Sequence, residues 1–371
     1  MTSSKQLNIL AISDIHLGHR KTPSIHILEN LRQYFLPKVR YADLILIAGD
    51  IFDRLLSLPA HEVDEIHRFI GDFLIETKKY NVCTRIVEGT PSHDWQQSQL
   101  FEQINRLNIH ADIKWVRALD IEYIERFTFH ILYIPDEWDS IENIYEQSLC
   151  AIADNNLTQV DFILMHGQFD FQIPNAQQVP KHDSDAYSKL ARYFVVCGHV
   201  HRPSQHKNIL IPGSFDRLAQ GEEEDKGFVQ IELDRENDQH RIHFIENEGA
   251  KTYRTIDLRG VDKQTCWEQL DEQLAFVEPN SYIAITLFKD DPLRDLADEV
   301  RKRYPLIYFD FKTEKAGQSS FEQIQNLKPE QLEPITPNSI RRLLSQKLEK
   351  MGIDPTTQSQ IFERFDQIEN A

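Results

Sequence analysis

What the chain lacks narrows the field first. Only four cysteines occur in 371 residues, Cys83, Cys150, Cys197 and Cys266. They are scattered, with no CxxC pair, which excludes a thiolate zinc knot or a disulfide frame and points to reduced thiols in a cytoplasmic setting. No apolar run approaches the length of a membrane span. The opening polar residues lead straight into a strand-like stretch, not a signal-like apolar region. A basic face is missing too. The net charge of −18 argues against a simple nucleic-acid binder, whose footprint is a basic patch. It does not exclude an enzyme acting on nucleic acid, because bound divalent cations put positive charge where a phosphate would sit and a partner subunit can supply the grip. No internal repeat is present. The length exceeds one average domain, so more than one is expected.

What is there is organised around Cys197-Gly198-His199-Val200-His201, which follows an apolar run read as a buried strand. The upstream chain repeats this design. The run Leu7 to Ile12 is read as a strand buried on both faces, and it ends in Asp14 and His16. A second, Asp43 to Ala48, ends in Gly49, Asp50 and Asp53; a third, Thr84 to Glu88, meets His93 and Asp94; and Asp161 to Met165 ends in His166. Open α/β sheets build sites in this way, at the carboxyl ends of strands.

Further strands are expected at 128–134, 209–211, 228–233 and 241–245. Helices are expected at 24–34, stopped by Pro37, and at 61–78. The order implies an α/β, two-sheet sandwich over residues 1–247. From 248 to 315 a β-α-β-α-β pattern reads as a small α/β domain. Residues 316–335 read as a polar linker and 336–371 as two amphipathic helices. Such a pair is too small to bury its apolar faces alone and is expected to dock on a partner.

Each candidate has a plainer reading beside the chemical one. Asp14 and His16 form a pattern that arises by chance in loops, and an acid such as Asp50 at a strand tip is often a helix N-cap. His166, taken alone, reads as an ordinary loop histidine. The set in this order, each at a strand end, is much harder to obtain by chance. His19, Arg54 and Arg202 are candidate substrate contacts, with solvated loop positions as the alternative. Trp95 and Phe169 could stack on a base or pack in the core.

The set Asp14-x-His16, Gly49-Asp50-x-x-Asp53, Ser92-His93-Asp94, His166 and Gly198-His199-x-His201 resembles the calcineurin-like metallophosphoesterases. Within them it is similar to the SbcD/Mre type of DNA-repair nuclease, through Ser13 to Gly18 and through Ile211 to Arg217 with Glu222 and Lys226 after it. The motifs cover about residues 7–245; the later parts match by layout, as a capping domain and a helical partner-binding pair.

The resemblance implies one divalent metal on Asp14, His16, Asp50 and His201. It implies a second on Asp50, His166 and His199, with Asp50 bridging. Mixed imidazole and carboxylate donors suit manganese or a similar first-row ion. His93 would be the catalytic histidine, and Asp94 would orient it.

The resemblance further implies a 3′-to-5′ exonuclease and endonuclease that forms a homodimer and binds an SbcC/Rad-like ATPase through 336–371. Alternatives are a phosphoesterase of the same fold acting on a small nucleotide or a phosphoprotein, and a scaffold subunit with a weakened site. One departure stands out. The family's compact Gly-Asn-His-Asp turn is two residues longer here, which puts Ser92 in the asparagine slot as a shorter ligand to the second metal.

Overall fold

The computed structural model describes residues 6–56, 61–136, 139–173, 179–275, 277, 279, 281–289, 297–314, 358 and 362. The strands, in chain order, are β1 (Gln6–Ile12), β2 (Leu44–Ala48), β3 (Cys83–Val87), β4 (Ile113–Val116), β5 (Asp120–Ile124), β6 (Phe129–Ile134), β7 (Val160–His166), β8 (Ala191–Gly198), β9 (Ser204–His206), β10 (Ile209–Ile211), β11 (Gly227–Asp234), β12 (Gln239–Glu246), β13 (Tyr253–Asp257), β14 (Tyr282–Phe288) and β15 (Tyr308–Glu314).

They form two six-stranded sheets, ordered β12-β11-β1-β2-β3-β4 and β5-β6-β7-β8-β10-β9, and one three-stranded sheet, β13-β14-β15. Strands β1 to β4 run parallel, as do β6, β7, β8 and β10.

Alternation within the strands builds the layers. Ile9, Ala11, Leu44, Leu46 and Val87 face Ile131, Tyr133, Phe162, Leu164 and Val196 across the sandwich. Leu10, Ile12, Ile45, Ile47 and Ile86 point the other way, into helices at 24–39 and 61–79 through Ile27, Leu31, Ile66, Phe69 and Phe73. The second sheet is covered likewise by helices Ile141–Asp154 and Ser184–Leu190, with Ile144, Ile152 and Tyr187 on Leu132, Ile163 and Val195. This is the expected two-sheet sandwich. The long apolar runs read as fully buried strands are buried because both faces of each sheet are covered.

Several details differ from expectation. The first helical segment does not stop at Pro37. It continues to Val39 through a π turn at Leu31–Phe35, a widening that accommodates a residue with no N–H to donate. Strands β4 and β5, and helices Ile141–Asp154 and Ser184–Leu190, were not expected. The first of these helices has a clear start, since the Ser140 hydroxyl accepts from the Asn143 N–H at 3.2 Å.

In the three-stranded sheet, β13 and β14 run parallel around helix Lys263–Leu274, and Ile256, Leu270, Ile283, Ile285 and Val300 form the core. Residues up to Thr313 form one compact unit and Glu314 onward a second. The linker 316–335 and, apart from the helical positions Gln358 and Phe362, the pair 336–371 lie outside the described residues. The four cysteines form no disulfide. Among the described residues no helix is long and apolar enough to cross a membrane.

One buried histidine makes acid stability a test of this packing. His182 is 3% exposed, with Nδ1 3.1 Å from the Tyr187 hydroxyl. Burial, with a smaller push from His199, lowers its imidazole to about 4. Its folded value lies below the unfolded one, so its contribution is complete above about pH 6.5 and is lost as pH falls towards 4. The full loss is about 3 kcal/mol. Urea unfolding in chelator at about pH 7.5 and about pH 5 should show a smaller pH gap for His182→Gln than for the parent chain. Equal gaps would contradict the burial of a neutral imidazole.

Candidate metal centre

Four of the candidate side chains hang from backbone in the left-handed region: Asp14 (φ 50°), His16 (φ 54°), Asp50 (φ 50°) and His199 (φ 101°). For residues other than glycine each such conformation costs about 1–3 kcal/mol and persists only where surrounding bonds impose it. Those bonds run between strand ends. Asp14 N–H donates to Gly49 O at 3.1 Å, His16 N–H to Asp50 O at 3.0 Å and Leu17 N–H to Ile51 O at 2.8 Å. His199 N–H donates to both Asp14 carboxylate oxygens, at 2.9 and 3.1 Å.

Two glycines permit the closeness. A Cβ on Gly49 (φ 79°) would lie 2.5 Å from His166 Nδ1, and one on Gly198 would lie 2.1 Å from Ala48 O.

The side chains meet where the carboxyl ends of β1, β2, β7 and β8 come together. His16 Nε2 and His201 Nε2 face each other at 3.1 Å, with Asp14 Oδ1 4.0 Å from the latter. Asp50 Oδ2 lies 3.4 Å from His166 Nε2, 3.8 Å from His16 Nε2 and 3.0 Å from His93 Nδ1. Three groups therefore offer mutually close donor atoms: Asp14, His16 and His201; His16, Asp50 and His93; and Asp50, His166 and His199. Asp50 is common to the last two and His16 to the first two.

Partners further out fix the rings. His166 Nδ1 donates to Ala48 O at 2.7 Å, a bond from one sheet to the other that leaves Nε2 free to face Asp50. His201 Nδ1 is 2.7 Å from Glu222 Oε1. Burial works to raise Glu222, but the His201 bond and the charge of Lys226 hold it at about 2, so the carboxylate stays charged behind the ring.

Whether a cation suits the site can be judged from its field. Burial works against a charged His166, yet Asp50, Asp14 and the Ala48 carbonyl push it up to about 10. Asp50 is itself held well below its ordinary value, because His166, His93 and His16 outweigh its burial. With no cation present the pocket draws in a proton, and two imidazole nitrogens face each other with at most one proton to share. The donor set fits divalent metal.

Six of the seven candidate ligands thus converge: Asp14, His16, Asp50, His166, His199 and His201. Ser92 does not. It is exposed, and it is its carbonyl that accepts, from Trp95 Nε1 at 2.7 Å. The side chain at that point is Thr90. Its hydroxyl lies 3.3 Å from Asp50 Oδ2, 3.3 Å from His166 Nε2 and 3.4 Å from His199 Nδ1, and its N–H donates to Asp50 Oδ1 at 2.6 Å. With the two extra residues in the loop, Pro91–Asp94 forms a short helical turn that lifts Ser92 outward. The one signal for Thr90 was its place directly after Gly89.

Asp94 also differs from expectation. Its carboxylate turns away from His93 and accepts the N–H groups of Asp50, Phe52 and Gly89 at 3.1, 2.9 and 2.8 Å, tying the β2 and β3 exits together. Burial, with the negative charges of Asp50 and Glu88, pushes its carboxyl up to about 8.

Among the substrate candidates, His19 borders the site, and its Nδ1 accepts from Thr22 N–H at 3.0 Å. Arg54 is tied to Gly18 O at 2.7 Å, and Arg202 is exposed. Phe169 is core, whereas Trp95 is 54% exposed. A cleft of about 510 Å³ opens beside His166 and His199, bounded by Asp136, Ser140 and His182.

Comparison with known proteins gives the family. No curated protein matches the chain. Among solved structures, that of TT1561 of Thermus thermophilus is 14% identical, with 65% of this chain and 99% of that one covered, at a TM-score of 0.39. A second solved chain is 15% identical over 65% of this chain and all of its own, at a TM-score of 0.34. The profile of the calcineurin-like phosphoesterases matches residues 7–203, more than half the chain and every strand end described above. The chain belongs to the calcineurin-like phosphoesterase family, whose fold binds divalent metals and hydrolyses phosphoesters.

Proposed function

We propose that the chain is a metal-dependent DNA nuclease of the SbcD/Mre type, a 3′-to-5′ exonuclease and endonuclease in DNA-end repair. On this reading it is cytoplasmic, forms a homodimer and works beside an SbcC/Rad-like ATPase docked on 336–371. The observation that carries it is the stretch Ile211 to Arg217, one of the two that favoured the nuclease branch, which is built into the site. Ser13 Oγ donates to Gly213 O at 3.1 Å, and Phe215 N–H donates to Asp14 O at 3.3 Å.

Asp14, His16, Asp50 and His201 would hold one manganese ion. Asp50, His166, His199 and the Thr90 hydroxyl would hold the other; Thr90 takes the place assigned above to Ser92. When bound, such a pair supplies Lewis acidity toward a phosphoryl oxygen and lowers the pKa of water. The chain's own groups do the rest. Glu222 keeps His201 oriented, and Ala48 O does so for His166. His93, about a third exposed and raised by its bond to Asp50, stands ready to give a proton to the leaving oxygen.

Three variants test the assignments. Thr90→Ala should weaken the second manganese site about 10- to 100-fold in calorimetric titration, while Ser92→Ala leaves both sites unchanged; two undisturbed sites in Thr90→Ala would remove Thr90 from the metal. With manganese and labelled single- and double-stranded DNA, His93→Ala should lower kcat about 10²- to 10⁴-fold at unchanged metal stoichiometry. A chain that hydrolyses a generic phosphodiester or a nucleotide but leaves DNA intact would be a phosphoesterase with another substrate. One that binds metal and hydrolyses neither would be a scaffold.

A further inference from the structure

The three-stranded sheet carries a feature the phosphoesterase reading does not use. Tyr253, Tyr282 and Tyr308, one from each strand, stack as a column. The ring centroids are 5.0 and 4.8 Å apart and the interplanar angles 10° and 18°. Tyr253 and Tyr282 are direct register partners. Exposure rises along the column: Tyr253 is 1% exposed, Tyr282 is half-buried, and Tyr308 on the edge strand is 52% exposed. Among the described residues no fourth ring covers Tyr308.

The inner end of the column reaches the loop that borders the metal centre. The Tyr253 hydroxyl is 3.0 Å from Thr22 Oγ1, and Thr22 N–H donates to His19 Nδ1, in the loop that begins at Asp14 and His16. Positive charge lies beside the rings in an otherwise acidic chain, from the buried Lys251, and that same loop runs against it. Arg20 and Lys21 are exposed. The Lys251 ammonium, 4.9 Å from the Tyr282 centroid and 6.0 Å from that of Tyr308, donates to Lys21 O at 3.4 Å. Stacked aromatic faces beside cations are what single-stranded nucleic acid binds, since every base has a π face and the phosphates need charge.

We infer that the tyrosine column is a nucleobase platform. An unpaired base of a DNA strand stacks on Tyr308 as the next rung, and Arg20 and Lys21 meet the phosphates leading to the metal centre. This rests on the nuclease reading and names the form of its substrate.

The test uses the full chain and a labelled single-stranded oligonucleotide, followed by fluorescence anisotropy without added metal. Tyr308→Ala should weaken binding about tenfold, within the range that loss of one base–aromatic stack gives, while Tyr308→Phe binds as the parent does. An oligonucleotide with abasic positions should lose a similar factor against the parent chain and little against Tyr308→Ala. Hydrolysis of a generic phosphodiester should be unchanged in both variants, which also reports that they fold. Equal binding by Tyr308→Ala, or an equal abasic penalty in both proteins, would overturn the platform. A parent chain that binds the oligonucleotide with this pattern but never cuts it would overturn the nuclease reading alone.

Discussion

Two carboxylates, Asp14 and Asp50, are almost completely buried where two sheets meet, and the rest of the site follows from that one constraint. Buried negative charge is tolerable only when compensated. Here compensation comes from imidazoles and backbone N–H groups of neighbouring strand ends. Asp14 takes the His199 amide, and Asp50 takes the Thr90 amide and faces three histidines. The balance is incomplete without a cation, which is why His166 is driven to hold a proton despite its burial. A site with this deficit binds divalent metal as part of its own electrostatics.

The second sheet is what makes the constraint geometric. The His166–Ala48 bond and the Gly198 approach to Ala48 pin β7 and β8 against β2, so ligands from distant segments share one small volume. Left-handed backbone at Asp14, His16, Asp50 and His199 is strain concentrated at a functional point. Its release is blocked by hydrogen bonds that run between strand ends, and by Asp94, which joins the exits of β2 and β3.

Much of this was legible in the sequence, for a physical reason. Strands buried on both faces read as unbroken apolar runs, and the acids and histidines one or two residues after Ile12, Ala48, Met165 and Cys197 sit at those strand ends. What was not legible is equally specific. Strands β4 and β5 carry Lys114, Asp120 and Glu122 among their apolar residues, so they lack a run, and helix Ile141–Asp154 was hidden although Ser140 marks its start. Loop conformation is decided by bonds with no local signature. Spacing put Ser92 in the ligand slot, but a helical turn after Thr90 moves it out. Asp94, adjacent to His93 in sequence, turns to three backbone amides instead.

Side chains from five strand ends, those of β1, β2, β3, β7 and β8, would hold two cations around one shared carboxylate. The direct measurement is anomalous scattering from crystals of the full chain grown with manganese. Two peaks should flank Asp50, one beside His16 and His201 and the other beside His166, His199 and Thr90. A single peak, or peaks away from Asp50, would contradict this arrangement.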